Sequence, residues 1–528
     1  MTQAPDHYAA GSVVEVSMPV RSSLKPGLYK DSVALMRVAE ALQARPGISR
    51  ASLMMGTDAN KAILAEAGLL DAALKAAKPD DLMIAVEGKA GALDGAMAAA
   101  ESELAGAAAP SGPRAIGRIA PRSIAMALGA GTKADLALIS VPGPYAGAEA
   151  LKAVGAGLDV LLFSDNVPVE QEIAVKQAAR AAGRLVMGPD CGTALIDGRP
   201  LGFANVVPRG RIGLVAASGT GLQEVMCRIA AAGEGISQAY GTGGRDLSEA
   251  VGGIAMLTAL ERLGRDPDTR VMVMISKPPT ASVADTVLTA ARATGKKLVV
   301  LFLGARPDLP GIGHVAATLE EAASAAVALA RGRSTRALKP APAPALPEAS
   351  RLARRQRFMR ALFSGGTFAA ETQHILATAG IACRSNVPID KRLALKDPHT
   401  SVGHSVIDLG EDAFTVGRPH PMIDHGQRID RLAREARDPE VALILLDVVL
   451  GHGSHADPAS VLAPAIAGAK KAAKRAGRVL PVLGFVTGTA GDTQGLDRQR
   501  AALKAAGMVL APTSAAAARA AAKLLARR

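Results

Sequence analysis

The sequence predicts an α/β protein in which a Rossmann-like domain is followed by two flavodoxin-like domains. Apolar runs of strand length alternate with segments of helical periodicity, which is typical of parallel βαβ units. Many of these runs end in a turn of glycine, serine or threonine. The order of features between residues 205 and 332 recurs between 351 and 528, which indicates two copies of one fold.

Four domains and one linker are expected in the 528 residues, because a chain of this length holds several separate cores. The N-terminal α/β domain should contain strands at 13–16, 51–55 and 82–86 and a helix from Asp31, its cap, to Leu42, in a doubly wound or a ferredoxin-like arrangement. The expected segments are 1–110 for this domain, 111–204 for the Rossmann-like domain, 205–332 and 351–528 for the flavodoxin-like domains, and 333–350 for a linker rich in proline and alanine.

The turn Ser218-Gly219-Thr220-Gly221 is the main candidate for ligand binding. It follows the apolar run 212–217 and precedes a helical pattern that begins at Leu222. The free backbone N–H groups at the start of such a helix, together with the helix dipole, favour a phosphate or a carboxylate.

The second copy repeats this turn as Ser364-Gly365-Gly366-Thr367, after an apolar run at 358–363. Glu224 follows the first turn and Glu371 follows the second at a similar distance. Two such folds packed with approximate twofold symmetry would aim both helix N-termini at one phosphate. Gly243, Arg245, Lys277, Arg306 and Arg418 lie in other loops and are candidates for a clamp around the same anion.

The second copy also contains seven of the nine histidines. His420, His452 and His455 lie in two polar loops, and hydrogen bonding to substrate or proton transfer is the functional interpretation. A structural role for each is equally open. A zinc site is disfavoured because the two loop histidines lack a defined third ligand. Cys191 has no neighbouring base, so a small buried residue is expected there rather than a nucleophile.

The amino-acid composition argues against nucleic-acid and membrane partners. Aromatic residues make up 2% of the chain and tryptophan is absent, which argues against single-stranded nucleic acid. The net charge of +13 is spread along the chain and is read as a solvated surface. The three separated cysteines fit a reducing cytosol, and no signal peptide or membrane helix is evident, so we expect a cytoplasmic protein with no membrane partner.

Several motifs resemble known families. Residues 134–246 resemble the alpha subunit of succinyl-CoA synthetase in the strand end VPGP, the turn GPDC and the segment RIGLVAASGT followed by Glu224. From about residue 12 onward the chain is similar to the FdrA family of acyl-CoA synthetase-like proteins. The motifs that carry this similarity are GPDCGTALIDG, PLGFANVVPRGRIGLVAASGTGLQEV, FTVGRPHPMID and LDVVLGHGSHADPA.

The resemblance implies a CoA-binding-type domain and two ligase-type domains whose paired helix N-termini hold a phosphate. In the synthetase that phosphate is on a histidine, and His314 lies near the corresponding position. The synthetase's CoA loop has no clear counterpart and its ATP-grasp segment is missing. Some FdrA proteins act with two smaller subunits as an oxamate carbamoyltransferase in purine-ureide breakdown.

The leading hypothesis is therefore a carbamoyltransferase subunit that needs no cofactor or metal. Its partners would be phosphate or carbamoyl phosphate, oxamate, and two smaller companion subunits. Glu224, His420, His452 and His455 are the catalytic candidates. The first alternative is an acyl-CoA synthetase subunit that uses CoA and ATP and is phosphorylated on His314. The second alternative is a non-catalytic scaffold that binds an anion.

Overall fold

The computed structural model describes residues 18–28, 30, 32–106, 121–307, 313–415 and 418–527. The chain divides into two compact units, residues 1–118 and 119–528. The predicted strand at 13–16 and the predicted helix cap Asp31 lie outside the described residues. Among the described residues, no helix has the length and hydrophobicity needed to cross a membrane.

The first unit is built on an antiparallel sheet with the strand order β1-β3-β2. Its central strand is buried almost throughout, because helices cover both faces. The predicted strands near 51–55 and 82–86 and the helix that ends near Leu42 are confirmed. The antiparallel pairing agrees with the ferredoxin-like alternative and not with a doubly wound sheet. The elements are β1 Val20–Lys25, α1 Ser32–Gln43, β2 Ile48–Met55, α2 Asp58–Glu66, α3 Ala72–Lys75, β3 Leu82–Gly88 and α4 Ala90–Gly106.

The second unit begins with a small parallel sheet in the order β4-β5-β6, which corresponds to the predicted Rossmann-like segment. Helices α6 and α7 pack on it through small side chains such as Ala146 and Ala150. The elements are α5 Ile124–Gly129, β4 Leu136–Ile139, α6 Gly143–Gly155, β5 Asp159–Leu162, α7 Val169–Ala181 and β6 Val186–Met187.

The next sheet has the order β13-β12-β11-β9-β10-β7-β8. Its five parallel strands follow the flavodoxin-like order, as predicted. The antiparallel hairpin β7–β8 extends this sheet, whereas the predicted boundary at residue 204 had assigned it to the preceding domain. The elements are β7 Thr193–Ile196, β8 Arg199–Gly202, β9 Arg209–Ala216, α8 Gly219–Ala231, β10 Ile236–Gly241, α9 Ile254–Arg265, β11 Val271–Ser276, α10 Ala281–Ala293, β12 Lys297–Phe302, β13 Gly313–Val315 and α11 Leu319–Ala330.

The last sheet has the order β15-β16-β14-β17-β18-β19. Without the two-residue edge strand β15, its five parallel strands have the same order as the five parallel strands of the preceding sheet. The two predicted flavodoxin-like copies are thus confirmed. Two 3₁₀ turns lie at Pro347–Arg351 and Lys391–Leu393. The elements are β14 Phe358–Phe363, α12 Gly366–Thr378, β15 Arg384–Ser385, β16 Ser405–Asp408, α13 Asp412–Thr415, α14 Gly426–Arg437, β17 Val441–Val449, α15 Pro458–Arg475, β18 Val482–Thr487, α16 Leu496–Ala505, β19 Met508–Leu510 and α17 Ser514–Leu525.

Four helices form a layer between the two large sheets: α8 and α11 from the first copy, and α12 and α17 from the second. These helices and the inner faces of both sheets share one buried core. Helices α9 and α10 cover the outer face of the first sheet, and α14, α15 and α16 cover that of the second. Burial on both faces explains why strands such as VALILLDVV at 441–449 are almost wholly apolar.

The predicted linker is fixed against this helix layer. Residues 333–346 contain no helix or strand, in agreement with their proline and alanine content. The Ala341 N–H donates to Glu320 at 3.3 Å and its carbonyl accepts from Arg519 at 2.8 Å. Leu338 and Leu346 pack on the shared core. The linker therefore contributes to the contact between the two copies.

Asn205 is the central polar contact between the copies. Its side chain is fully buried, and Nδ2 donates to the Leu450 carbonyl and to Asp492, both at 2.8 Å. Its Oδ1 accepts from Gln223 Nε2 at 3.1 Å. One side chain thus connects the segment before β9, helix α8 and the loops after β17 and β18.

We expect Asn205→Leu to lower the free energy of unfolding by about 2–4 kcal/mol, because it leaves buried partners of the amide unpaired. Urea denaturation checks this. The control is Lys152→Ala, which removes an exposed ion pair with Glu149 and should change stability by less than about 0.5 kcal/mol. Equal stability of the two variants would contradict the structural role of Asn205.

Candidate functional site

The N-termini of helices α8 and α12 meet at the junction of the two copies. We call residues 218–221 and 364–367 the paired helix ends. The Ser218 hydroxyl forms a hydrogen bond with the Thr367 hydroxyl. A Cβ atom at Gly221 would lie only 2.9 Å from Thr367 Cγ2, and one at Gly365 would collide with the Thr220 side chain. Glycine at both positions therefore allows the two helix ends to approach each other.

The backbone at these ends is suited to an anion. Ser218 caps α8 by accepting from the Gly221 N–H at 3.0 Å, whereas α12 has no side-chain cap. Ser218, Gly219 and Gly366 are partly accessible. The positive ends of two helix dipoles and their first-turn amides converge on this surface. The arrangement agrees with the predicted two-helix cradle.

Ser364 has a different position from the one expected. Its N–H donates to Asp447 at 3.1 Å, and its buried hydroxyl also donates to Asp447. This hydroxyl is therefore not available to a ligand, and Ser364 instead fixes the start of α12. On the α12 side, backbone amides rather than a serine hydroxyl are left to face an anion.

Lys277, which follows β11, and Asp408, which ends β16, lie beside the paired helix ends. A Cβ atom at Gly366 would be 2.7 Å from Asp408 Oδ2 and 3.5 Å from Lys277 Nζ. Lys277 is exposed and Asp408 is buried. Burial raises the pKa of Asp408 to about 6, and the nearby Lys277 charge opposes part of that rise. The site thus contains a cation and a carboxyl group that can take up a proton near neutral pH.

Asp190 adds a second carboxyl group from the GPDC turn. Its backbone lies at φ 52°, and the preceding Gly188–Pro189 peptide bond is cis. Its side chain is exposed, and the surrounding protein together with the negative charges of Asp165, Asp412 and Asp408 raises its pKa. Residues from the Rossmann-like segment therefore influence the same electrostatic environment as the second flavodoxin-like copy.

His420 points towards the start of α12. Its Nδ1 accepts from the Met422 N–H at 3.2 Å, so the ring proton of the neutral form is on Nε2. A Cβ atom at Gly410 would lie 2.7 Å from that Nε2, 2.9 Å from the Ser364 carbonyl and 3.2 Å from Asp408 Oδ1. Burial lowers the pKa of His420 to about 4. At neutral pH this side chain is a hydrogen-bond donor and not a base.

The other two predicted histidines lie in the loop after β17. The His455 Nδ1 accepts from the Asp457 N–H at 3.0 Å, and the His455 N–H donates to the Met422 carbonyl. The His452 side chain is exposed, and its N–H donates to Ala204 at 2.8 Å. The loop is thus placed by contacts with the first copy and with the segment that carries His420.

Three predicted site residues are engaged in contacts within the fold. Glu224 is buried one turn along α8, where it accepts from Thr487 and lies 3.4 Å from Arg228. Arg245 extends over α7, where it pairs with Glu172 at 3.0 Å and donates to the Val167 carbonyl. Gly243, at φ 87°, allows close packing against the Pro189 carbonyl. All three have structural contacts that sequence spacing could not reveal.

Three further candidates have these positions. His314 is on edge strand β13, three strands or about 14 Å from β9, and its Nε2 is 3.0 Å from Glu321. Arg306 lines a cleft of about 890 Å³ over α10 and β12. Arg418 is exposed in the loop before His420. The structure therefore does not bring His314 to the paired helix ends.

Cys191 is buried, as expected, and its thiol lies 3.3 Å from the Gly241 carbonyl. Burial raises the pKa of this thiol to about 12. Such a group is not a nucleophile at neutral pH. Within the ranges that the structure describes, no group of three or more His, Cys, Asp or Glu side chains is placed to hold a metal.

Sequence reasoning missed Asp190, Asp408 and His425. Asp190 lay within the quoted GPDC motif, and Asp408 ends an apolar strand at the carboxyl edge of a parallel sheet, where ligands commonly bind. His425 was counted among the histidines but given no role. Its fully buried position depends on packing between distant loops, which spacing alone does not show.

The raised pKa of Asp408 predicts pH-dependent anion binding. Sulfate keeps its charge between pH 5 and 8, so its affinity should rise roughly tenfold as the buried Asp408 becomes protonated near pH 6 and stops repelling it. Isothermal titration calorimetry from pH 8 to 5 checks this. In Asp408→Asn the change near pH 6 should disappear. A flat profile in the unaltered protein would contradict the placement of Asp408.

Three family models match the chain. They are described as CoA-ligase, over residues 362–524, CoA binding domain, over 209–304, and AllF, heavy metal-associated domain, over 18–116. The CoA binding match falls on the first flavodoxin-like copy, not on the Rossmann-like segment at 111–204. Residues 18–116 contain no cysteine and no histidine.

Similar proteins agree with these matches. Uncharacterized protein YahF of Escherichia coli is 44% identical over 94% of this chain and 97% of its own length. The succinate–CoA ligase subunit alpha-2 of Trichomonas vaginalis is 30% identical over 35% of this chain and 62% of its own, and the Staphylococcus aureus alpha subunit is 28% identical over 36% and 63%. The match thus spans less than two thirds of the ligase subunits. The chain belongs, with YahF, to the FdrA family of acyl-CoA synthetase-like proteins.

Proposed function

We propose that this chain is the large subunit of a carbamoyltransferase that moves a carbamoyl group between phosphate and oxamate. The observation that carries this proposal is the convergence of the α8 and α12 N-termini beside Lys277. Phosphate is both a product and part of the carbamoyl donor in this reaction. The AllF description of the N-terminal family model supports a place in ureide breakdown.

The reaction requires one bond to form and one to break. The amide nitrogen of oxamate attacks the carbonyl carbon of carbamoyl phosphate, the bond from that carbon to the phosphate oxygen breaks, and phosphate leaves. The nitrogen loses one proton, and the products are oxalurate and phosphate. No metal, nucleotide or covalent enzyme intermediate is needed for this balance.

The paired helix ends would hold the phosphate group throughout. Their backbone amides and Lys277 oppose the negative charge that grows on the leaving phosphate. Such preorganised donors stabilise a developing charge more than water does, because they need no reorientation during the reaction. Gly219 and Gly366 are the accessible backbone positions for this role.

Asp408 is the proposed general base. A pKa of about 6 leaves it mostly ionised at neutral pH and still able to accept the amide proton. The neutral His420, with its proton on Nε2, would donate to the carbonyl oxygen of the donor. These roles replace the proton transfer that the sequence suggested for His420 and the catalytic role it suggested for Glu224.

Two smaller companion subunits and a cytoplasmic location complete the proposal, as the family resemblance implies. Phosphate, carbamoyl phosphate and oxamate are the proposed small partners. No CoA, ATP or metal takes part in the proposed reaction.

A second candidate function is acyl-CoA synthesis, which the CoA-ligase and CoA binding domain matches favour. The cleft of about 890 Å³ is large enough for a cofactor of this class and has Arg292 and Arg306 beside Leu288 and Phe302. The guanidinium groups would hold the phosphates of CoA, and the apolar side chains its organic part. CoA would supply a thiol as the acyl acceptor.

The two candidates are separated by one pair of assays on the chain with its companion subunits. Phosphate-dependent conversion of oxalurate to carbamoyl phosphate, followed by ³¹P NMR, supports the transferase. Acid-labile label from [γ-³²P]ATP that is lost in His314→Ala supports the synthetase and contradicts the transferase. Phosphate binding without either activity would leave the chain as a scaffold.

Lys277→Met should lower kcat/KM for carbamoyl phosphate by roughly 10²–10³-fold, because it removes the cation nearest to the paired helix ends. Steady-state kinetics check this. Lys391→Met, at an exposed position of the 3₁₀ turn, is the control and should retain full activity. Unchanged kinetics in Lys277→Met would remove this lysine from the mechanism.

A further inference from the structure

A buried polar cluster lies next to the start of α12, and the proposed mechanism assigns it no role. It consists of His425, Arg428 and Ser454. His425 is 4% exposed and Arg428 is 1% exposed. Among the described residues, both ring nitrogens of His425, Nε and Nη1 of Arg428, and the Ser454 hydroxyl have no hydrogen-bond partner. Buried polar groups without partners are rare in folded proteins, so such a concentration requires an explanation.

His425 and Arg428 lie one turn apart, and the loop that carries Ser454 packs against His425 through His455. His425 occupies the N-cap position of α14, three residues before Arg428, and its side chain makes no capping hydrogen bond. The ring centres of His425 and His455 are 5.5 Å apart, and Ser454 precedes His455. Arg428 Nη2 donates to the Leu362 carbonyl at 3.0 Å and pairs with Asp447, which also holds Ser364. The cluster is thus connected through Asp447 to the start of α12.

The loop that carries Ser454 is held by hydrogen bonds and reaches the surface. Gln494 holds the loop after β17 by accepting from the Gly451 N–H at 3.1 Å and donating to its carbonyl at 2.8 Å. The same loop is exposed at His452 and Gly453. Groups that are fixed in this way lose little freedom when a ligand binds.

The unpartnered groups have a specific chemical complement. Nε and Nη1 of Arg428 lie on different edges of the guanidinium, so each can donate a hydrogen bond to a separate oxygen of a small anionic ligand. Neutral imidazole offers one donor and one acceptor, which match the carbonyl and N–H of a carboxamide. Burial and the nearby Arg428 charge hold the pKa of His425 well below its usual range, so the ring is neutral at physiological pH.

We propose that His425, Arg428 and Ser454 form the binding site for the carbamoyl acceptor, a small planar molecule that carries a carboxylate next to a carboxamide. This inference rests on the proposed function, because oxamate is the acceptor named there. It assigns the second substrate to the polar cluster and leaves phosphate at the paired helix ends. The two substrates would then meet at Asp408 and His420.

The test is His425→Phe in the full chain with its companion subunits. Phenylalanine keeps the ring and removes both nitrogens, which have no protein partner to lose. The thermal midpoint should therefore stay the same or rise. The KM for oxamate should rise about ten- to hundredfold, while the KM for carbamoyl phosphate stays within about twofold. Ser454→Ala is the second variant and should raise the oxamate KM in the same direction.

The matched control is His404→Phe. The His404 Nδ1 accepts from the Met359 N–H at 3.2 Å, so this variant should lose stability and keep the oxamate KM. A wild-type oxamate KM in both His425→Phe and Ser454→Ala would overturn the proposal and show that the cluster holds only water.

Direct binding separates this inference from the proposed function. Calorimetry with oxamate alone and with inorganic phosphate alone uses no catalytic step. If carbamoyl transfer is absent, loss of oxamate binding in His425→Phe still supports the site. If the unaltered protein binds phosphate and does not bind oxamate, the acceptor site is overturned and the phosphate site stands.

Discussion

The close approach of helices α8 and α12 is the constraint on which the site depends. Two positive helix ends repel each other unless something compensates their charge. Here Gly221 and Gly365 remove the side chains that would separate them, and the hydroxyls of Ser218 and Thr367 join them. The shared core of the four middle helices and the buried contacts of Asn205 hold the copies in this arrangement. An anion is the natural partner of the surface that results.

The charged groups around this surface follow from the same geometry. The carboxyl ends of the strands in both sheets face the paired helix ends. The first copy therefore contributes Lys277 and the second copy contributes Asp408. Burial shifts the pKa of Asp408 towards neutrality and that of His420 below it. Asp408 is thereby suited to take a proton, and His420 is suited to donate a hydrogen bond. The site is thus formed by both copies, and neither copy contains it alone.

Much of the fold was predictable from local patterns. The repeat of strand, Ser-Gly turn and helix identified both flavodoxin-like copies, and their paired N-termini followed from the expected symmetry. The predicted domain boundary at residue 204 separated residues 193–202 from the sheet they extend, because pairing of β7 with β10 is a tertiary contact. The contacts of Arg245 and Glu224 could not be predicted from spacing, because their partners, Glu172 and Thr487, are far away in sequence. Burial, which gives Asp408 and His425 their properties, has no local signature.

The central claim is that one phosphate is shared by two helix N-termini. A crystal structure of the full chain grown with inorganic phosphate tests this most directly. The account predicts a single phosphate within hydrogen-bond distance of backbone amides from both α8 and α12, with Lys277 beside it. A phosphate bound to one helix end only, or to neither, would contradict it.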